Sequence, residues 1–327
     1  MDKKIALKEV AETGRILLKE KLVARTWGNF SAKIGENRCV ITPSGLGYEN
    51  MEPKDLVELD INTGESVGIH KPSGEKAVHM AAYKVFKDAE FVIHTHQIAA
   101  TAIGLGDISS LDLTADENEL LGGVNIAAYG MPGSDELGKN VEEALKNNAM
   151  CILMAHHGVL IVASSREEAI KKALLLEKIC ERNLKGQSNV KYTALDELFK
   201  ELKSLCEGKH IIQINSSNVL ALAERDCDFW AQIDDMAMMI GEKMPICAPN
   251  AHEIMGLLKD YGAVLVKGYG AFALTEDEED AAAAGILIEK AATAALHAKA
   301  LGVNADLDRT DAAFMRKDYI TRYSKEK

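Results

Sequence analysis

The stretch Phe91-Val92-Ile93-His94-Thr95-His96 reads as a buried strand that ends on two histidines. Side chains alternate along a strand, so His94 and His96 project from the same side of the chain, a geometry that chelates. A single strand histidine is more often a packed or solvated residue than a ligand, and the His-x-His pair alone does not decide for a metal. A second strand, Cys151-Ile152-Leu153-Met154, runs into His156-His157-Gly158, where a tight glycine turn brings a third ring to a strand end. Three nitrogen ligands with an open fourth position describe a catalytic zinc site. A structural site would usually be closed by thiolates, and none of the six scattered cysteines (Cys39, Cys151, Cys180, Cys206, Cys227, Cys247) is spaced to do so.

Outward from these strands, helical and extended patterns alternate. Apolar residues at helical spacing from Ile5 to Val23 predict an amphipathic opening helix, and Cys39–Ile41 and Val57–Leu59 predict short strands among Pro43, Gly45, Gly47 and Pro53. Ala77 to Phe86 and Gln97 to Ile103 predict helices. Ser134 is placed to cap a helix running to about Asn147, and Ser165 with Glu168 forms a capping-box pattern for a helix ending near Gly186.

Between the first helix and the histidines lie three loops of small polar residues: Gly28-Asn29, Thr42-Pro43-Ser44-Gly45 and Pro72-Ser73-Gly74-Glu75. Glycine lets backbone N–H groups approach an anion, and Ser or Thr hydroxyls add donors, so such loops can cradle a phosphate without Lys or Arg. The same residues also make ordinary turns. Glu75 falls at the start of a helix that continues through His79 and Tyr83, where a glutamate commonly serves as a cap.

With 327 residues, 47% of them hydrophobic, the chain can bury one large core or two ordinary ones. The net charge of -12 disfavours nucleic acid and anionic membrane surfaces as partners. No apolar run approaches the roughly 20 residues of a membrane span, and Met1-Asp2-Lys3-Lys4 leads into a mixed helix, so a cytoplasmic protein with reduced, mostly buried thiols is expected.

Gly28-Asn29, Ile41-Thr42-Pro43-Ser44-Gly45, Lys71-Pro72-Ser73-Gly74-Glu75 with His79-Met80-Ala81-Ala82-Tyr83, His94-Thr95-His96 and His157-Gly158 resemble, in order and spacing, the class II aldolase and adducin family over about residues 5 to 190. The resemblance implies a three-layer α/β/α fold around a mostly antiparallel sheet. It also implies zinc held by His94, His96 and His157, with Glu75 as the acid/base residue and Asn29, Thr42, Gly45, Ser73 and Gly74 around the phosphate. It further implies a small phosphorylated sugar as substrate and assembly as a homo-oligomer. The expected activity is that of a carbon-carbon lyase cleaving or forming a ketose 1-phosphate through a metal-stabilised enediolate. A sugar-phosphate epimerase or dehydratase of the same family and a non-enzymatic adducin-like scaffold are the alternatives. Two departures bear on this: Gly74 stands where the fuculose-phosphate aldolases have a second serine, and Thr114 stands near their catalytic tyrosine, with Asp116, Glu117 and Glu119 crowded beside it. These acids suit catalysis or an ordinary solvated helix start.

Sliding the chain against itself by 112 positions lays Leu153 on Leu265, Gly158 on Gly270 and Glu177-Lys178 on Glu289-Lys290, and pairs the Ser165/Glu168 cap with Thr275/Glu278. A shift of 119 lays His94 and His96 on Gln213 and Asn215, while the shift of 112 lays His157 on Tyr269. The expected organisation is a catalytic domain over residues 1–190, a degenerate partial repeat without metal ligands over 191–303, and a tail over 304–327. That tail, with Phe314, Arg316, Tyr319, Arg322 and Tyr323, suits either a cover over a neighbouring active site or a frayed terminus.

Overall fold

The computed structural model describes residues 1–192, 197–206 and 208–322, which divide into two compact units, Met1–Asn183 and a second beginning at Leu184. The first unit contains, in chain order, α1 (Lys3–Lys19), β1 (Asn29–Lys33), β2 (Arg38–Ile41), β3 (Val57–Asp60), β4 (Ser66–Val67), α2 (Lys76–Val85), β5 (Phe91–Thr95) and α3 (Ile98–Ile103). These are followed by α4 (Ala115–Leu121), β6 (Val124–Ala127), α5 (Asp135–Leu145), β7 (Cys151–Met154), β8 (Gly158–Ala163) and α6 (Arg166–Asn183). The strands form one sheet in the order β4-β3-β2-β1-β5-β8-β7-β6, antiparallel throughout except for the parallel pair β6 and β7.

Strand alternation divides this sheet into two buried faces. Val92, Ile152, Met154, Leu160 and Val162 share one core with Val78, Ala81 and Ala82 of α2 and Leu137 and Val141 of α5. The intervening Phe91, Ile93, Leu153 and Ile161 are equally buried, and α1, α3 and α6 pack against strands of the same sheet. The result is a mixed α/β architecture with helices on both sides of a large, mostly antiparallel sheet.

Local signals set the helix boundaries. Asp2 caps α1 through Lys4 and Ile5, and Ser134 caps α5 through Leu137 N–H. Ser165 receives the N–H of Glu168, but the Glu168 carboxylate reaches Ser164 rather than closing the box on Ser165.

The second unit contains α7 (Glu197–Ser204), β9 (His210–Ile214), α8 (Ser217–Ala223), β10 (Phe229–Trp230), a π-helical turn at Met236–Ile240, β11 (Lys243–Met244), β12 (Ile246–Cys247) and α9 (Ala251–Leu257). It continues with β13 (Ala263–Val266), β14 (Gly270–Thr275), α10 (Glu278–Leu301) and α11 (Arg309–Thr321). Its main sheet has the order β12-β13-β14-β9, with β12 parallel to β13 and the other pairs antiparallel.

Two expectations for this unit need correction. The cap of α10 is Asp277, which accepts from Asp280 N–H, while Thr275 still belongs to β14, so the Thr275/Glu278 box does not form. The stretch expected as a tail is a docked helix: Ala312, Met315 and Tyr319 of α11 are buried, and Arg316 donates to the carbonyls of Met238 and Met239 at 3.0 and 2.6 Å. These carbonyls belong to the π-helical turn, where the wider pitch leaves the usual i to i−4 partners unmatched. Tyr323 lies outside the described residues.

Candidate metal centre

Three elements of the first unit aim their side chains at one point. In the β1/β5 register Asn29 faces His94, and both lie on the side of the sheet that packs against α2. His96 follows β5 by one residue and is held by its N–H to Leu22 O at 3.2 Å. His157 follows a turn closed by His157 N–H to Met154 O at 3.0 Å, with His156 in the left-handed region at φ 64°. Two glycines permit this crowding. A Cβ on Gly158 would meet Thr95 O at 2.4 Å, and one on Gly28 would meet His94 O at 2.6 Å.

The ligand atoms of Glu75, His94, His96 and His157 all lie within 4.8 Å of one another. His94 Nδ1 is 2.9 Å from Val159 O; a carbonyl only accepts, so Nδ1 carries the proton and Nε2 presents a bare lone pair. That lone pair faces His96 Nε2 at 2.9 Å, His157 Nε2 at 3.1 Å and Glu75 Oε2 at 3.1 Å. Glu75 Oε1 is 2.8 Å from His157 Nε2 but out of hydrogen-bond alignment, and among the described residues this buried oxygen has no hydrogen-bond donor. A cation satisfies these converging acceptors together, and three imidazoles with a carboxylate suit a divalent transition metal such as zinc.

Glu75 occupies the N-cap of α2 but makes no side-chain capping bond. The familiar role of a helix-start glutamate is thus not the one it plays; its carboxylate turns to the histidines instead. Burial pushes its pKa up, but the His94 and His157 rings beside it outweigh burial and hold it well below the ordinary carboxylate range.

The loops expected around a phosphate lie side by side. Ser73 N–H donates to Thr42 O and Ser44 N–H to Lys71 O, both at 3.0 Å, and Pro43 bridges Pro72. The Thr42 hydroxyl accepts from Phe30 N–H and the Ser73 hydroxyl from Glu75 N–H, each at 3.2 Å. Gly45 has φ 73°, and the space where a Cβ of Gly74 would lie is open, so the serine of related loops would fit there. Asn29 is engaged differently: its Nδ2 donates to Glu75 Oε2 at 2.9 Å and its Oδ1 lies 2.6 Å from His79 Nε2.

The acids near Thr114 serve the helix start. Thr114 and Glu117 form a reciprocal capping box on α4, and Glu117 also pairs with Arg182. The Arg182 hydrogen bond holds its pKa down at about 2, while Asp116 and Glu119 are exposed. His156 sits edge-on to Tyr129 with ring centroids 5.4 Å apart.

Sequence reasoning gave no role to Ser31, His79 or Tyr83. Their signal is a pair of matched spacings: Asn29 and Ser31 at i, i+2 on β1 against Glu75, His79 and Tyr83 at i, i+4, i+8 along α2. Two strand residues and four helix residues each advance about 6–7 Å, so the two rows stay in register.

The profile described as "Class II Aldolase and Adducin N-terminal domain" matches residues 8–184. The chain belongs to the class II aldolase and adducin family. Among curated class II relatives, the "Probable L-ribulose-5-phosphate 4-epimerase UlaF" of Mycoplasma pneumoniae is 34% identical over 209 residues, covering 57% of this chain and 85% of that protein. The "5-methylthioribulose-1-phosphate/5-deoxyribulose-1-phosphate aldolase" of Rhodospirillum rubrum is 33% identical over 162 residues, covering 48% and 70%. A solved "L-fuculose 1-phosphate aldolase" superposes with TM-score 0.50 at 28% identity, over 54% of this chain and 84% of its own. The class II aldolase family thus includes relatives named for both aldolase and epimerase reactions on sugar phosphates. Among the described residues no helix is long and apolar enough to cross a membrane.

Proposed function

We propose that this chain is a zinc-dependent aldolase that cleaves or forms a ketose 1-phosphate. The observation that carries the proposal is the convergence of Glu75, freed from helix capping, with the nitrogens of His94, His96 and His157. Those three histidines would hold the metal, which when bound supplies a Lewis acid for the negative charge that develops on substrate oxygens. In condensation, the Glu75 carboxylate takes the proton from C3 of dihydroxyacetone phosphate, next to the ketone. The resulting enediolate carbon attacks an aldehyde, the C3–C4 bond forms, the aldehyde oxygen takes a proton from water to become a hydroxyl, and Glu75 gives its proton back to water. Cleavage runs the same steps backwards, with Glu75 returning the proton to C3. The paired loops at Thr42–Gly45 and Ser73–Gly74, with Asn29, would receive the phosphate.

A second function is favoured by the 34% identity to the epimerase-named relative. Inverting a hydroxyl carbon two positions from a ketone can use the same C–C cleavage, followed by re-addition to the opposite face. The two differ in where the phosphate sits, beside the ketone or at the far end of the sugar. Zinc-loaded protein would be incubated with ketose 1-phosphates and pentulose 5-phosphates, and products followed by NMR. Dihydroxyacetone phosphate plus free aldehyde is expected. Inverted pentulose without free aldehyde would support the epimerase, loss of water without C–C cleavage a dehydratase, and no turnover by metal-loaded protein would contradict all three. We also propose, on family grounds, a homo-oligomer; an active protein that sediments as a monomer at micromolar concentration would contradict it.

A further inference from the structure

Five side chains form a buried line between α2 and β1 that ends on Glu75. Tyr83 Oη lies 2.9 Å from Ser31 Oγ, Ser31 Oγ 2.7 Å from His79 Nδ1, His79 Nε2 2.6 Å from Asn29 Oδ1, and Asn29 Nδ2 2.9 Å from Glu75 Oε2. The proton positions follow from the acceptor at the end. A carboxylate only accepts, so the Asn29 group facing Glu75 is the NH2 and the group facing His79 is the carbonyl oxygen. His79 Nε2 therefore carries the hydrogen. Burial pushes the pKa of His79 down to about 3, so the ring is neutral and Nδ1 is bare. Ser31 donates to Nδ1, which leaves Tyr83 O–H to donate to Ser31. Every bond in the line points its hydrogen towards Glu75, and bonds aligned in this way polarise one another.

We propose that His79 is the positioning residue of this site: through Asn29 it fixes the orientation of the Glu75 carboxylate beside the histidine cluster. It rests on Glu75 acting as the acid/base group. Without the His79 donor, the Asn29 amide is free to rotate and present its oxygen to the carboxylate, which repels Glu75 from its place. None of the four hydrogen bonds that make up the line is to His94, His96 or His157, so binding of metal should not depend on His79.

The test uses the zinc-loaded full chain with His79→Phe, which removes both ring nitrogens, and His79→Gln, whose amide N–H can stand in for Nε2–H. The reaction followed is deuterium exchange from solvent into dihydroxyacetone phosphate. His79→Phe should lower kcat for exchange by about 10- to 100-fold, the scale of loss when a reacting group is misplaced. KM and zinc stoichiometry should stay within about twofold, a loss confined to the proton-transfer step. His79→Gln should recover most of the rate. Unchanged kcat in a folded His79→Phe protein, or His79→Gln no faster than His79→Phe, would overturn the proposal. Absence of exchange in the wild-type protein would count against the proposed function, and the positioning claim is then read without substrate. In protein carrying 15N-labelled histidine, His79 should show a proton on Nε2 and none on Nδ1, and its signal should move on Glu75→Gln. A proton on Nδ1, or a signal indifferent to Glu75→Gln, would overturn the proposal by itself.

Discussion

Strands β5-β8-β7-β6 of the first unit and β9-β14-β13-β12 of the second run in the same order, with the same single parallel pair at one end. Their registers coincide residue for residue under the two sequence shifts: His94 faces Leu160 as Gln213 faces Phe272, and Leu153 faces Val159 as Leu265 faces Ala271. A Cβ on Gly270 would meet Ile214 O at 2.2 Å, the counterpart of the Gly158 approach to Thr95 O. Glu177 accepts from the first amides of α3, and Glu289 accepts from Asn218 and Ser216 at the start of α8. We propose on these grounds that residues 191–303 are a degenerate half-copy of the catalytic unit. The comparison teaches that the half-sheet is only a frame. Where the first unit puts His94 and His157, the second puts Gln213 and Tyr269, and the Gln213 amide closes the corner by donating to Tyr269 O at 2.9 Å. A neutral hydrogen bond stands there where the first unit gathers its imidazoles, and among the described residues the second sheet has no strand in the place of β1 to carry an Asn29.

The largest effect that would sharpen this contrast is catalytic. Glu75→Gln should keep the bound metal and lower turnover by about 10² to 10⁴-fold, the usual range for an acid/base group. Full activity in that variant would remove the distinction between a frame and a site.

Metal should also divide the units by stability. Zinc at about 100 times its dissociation constant stabilises the state that binds it by about 2.7 kcal/mol. Pulsed alkylation in denaturant should therefore show zinc protecting the buried Cys39 and Cys151 of the first unit and leaving Cys206 and Cys247 of the second unaffected. Equal protection of both sets would mean that the second unit binds the ion or unfolds only together with the first.

Gly158→Ala and Gly270→Ala make a comparable pair, because both would force a Cβ onto a strand carbonyl, with Gly270 at φ 90° carrying added backbone strain. Each should cost about 1–3 kcal/mol, the range for overpacking. Only Gly158→Ala should also weaken zinc binding, as read by calorimetric titration. Loss of zinc binding in both would show that the second sheet supports the site.

The smallest effect is a pH dependence. Burial pushes the Glu168 pKa up, but the Lys172 and Ser164 hydrogen bonds outweigh it and bring it to about 2. A lowered folded-state pKa means that the contribution is full above the unfolded value near 4.5 and is lost as pH falls towards 2. Solvent screening of this partly exposed carboxylate limits it to about 1 kcal/mol. In the second copy the shift by 112 puts Asp280 and Ala284 at these positions, so the pair has no counterpart. Glu168→Gln should flatten the acid limb of the first unit's unfolding curve, measured with the same cysteine labels, and leave the second unit's curve in place.

Much of this was legible because strands state their faces. His94-Thr95-His96 had to project two rings together, and the glycine after His157 had to follow a tight turn. The caps at Ser134 and Ser165 were equally direct. The Thr275/Glu278 box failed because Asp277, two residues on, is a competing cap with its own acidic first turn. The tail was misjudged because α11 is anchored by Arg316 on carbonyls of a π-helical turn, and the sequence gives no sign of where such a turn will leave acceptors exposed. Glu75 looked like a capping residue, and only its meeting with His94 and His157, 19 and 82 residues further along the chain, shows what its carboxylate faces. The His79 line was written in the matched rows of Asn29/Ser31 and Glu75/His79/Tyr83. It becomes visible once β1 is known to lie under α2.

The central claim, that one half-sheet carries the metal and its counterpart does not, is tested most directly by counting metal per chain. Protein stripped by chelator and reloaded with zinc should hold one equivalent. His96→Ala should reduce that to background, and Gln213→Ala with Tyr269→Phe should leave it unchanged. Two equivalents in the wild-type chain, or an equivalent that survives His96→Ala and disappears with the second-unit changes, would contradict the account.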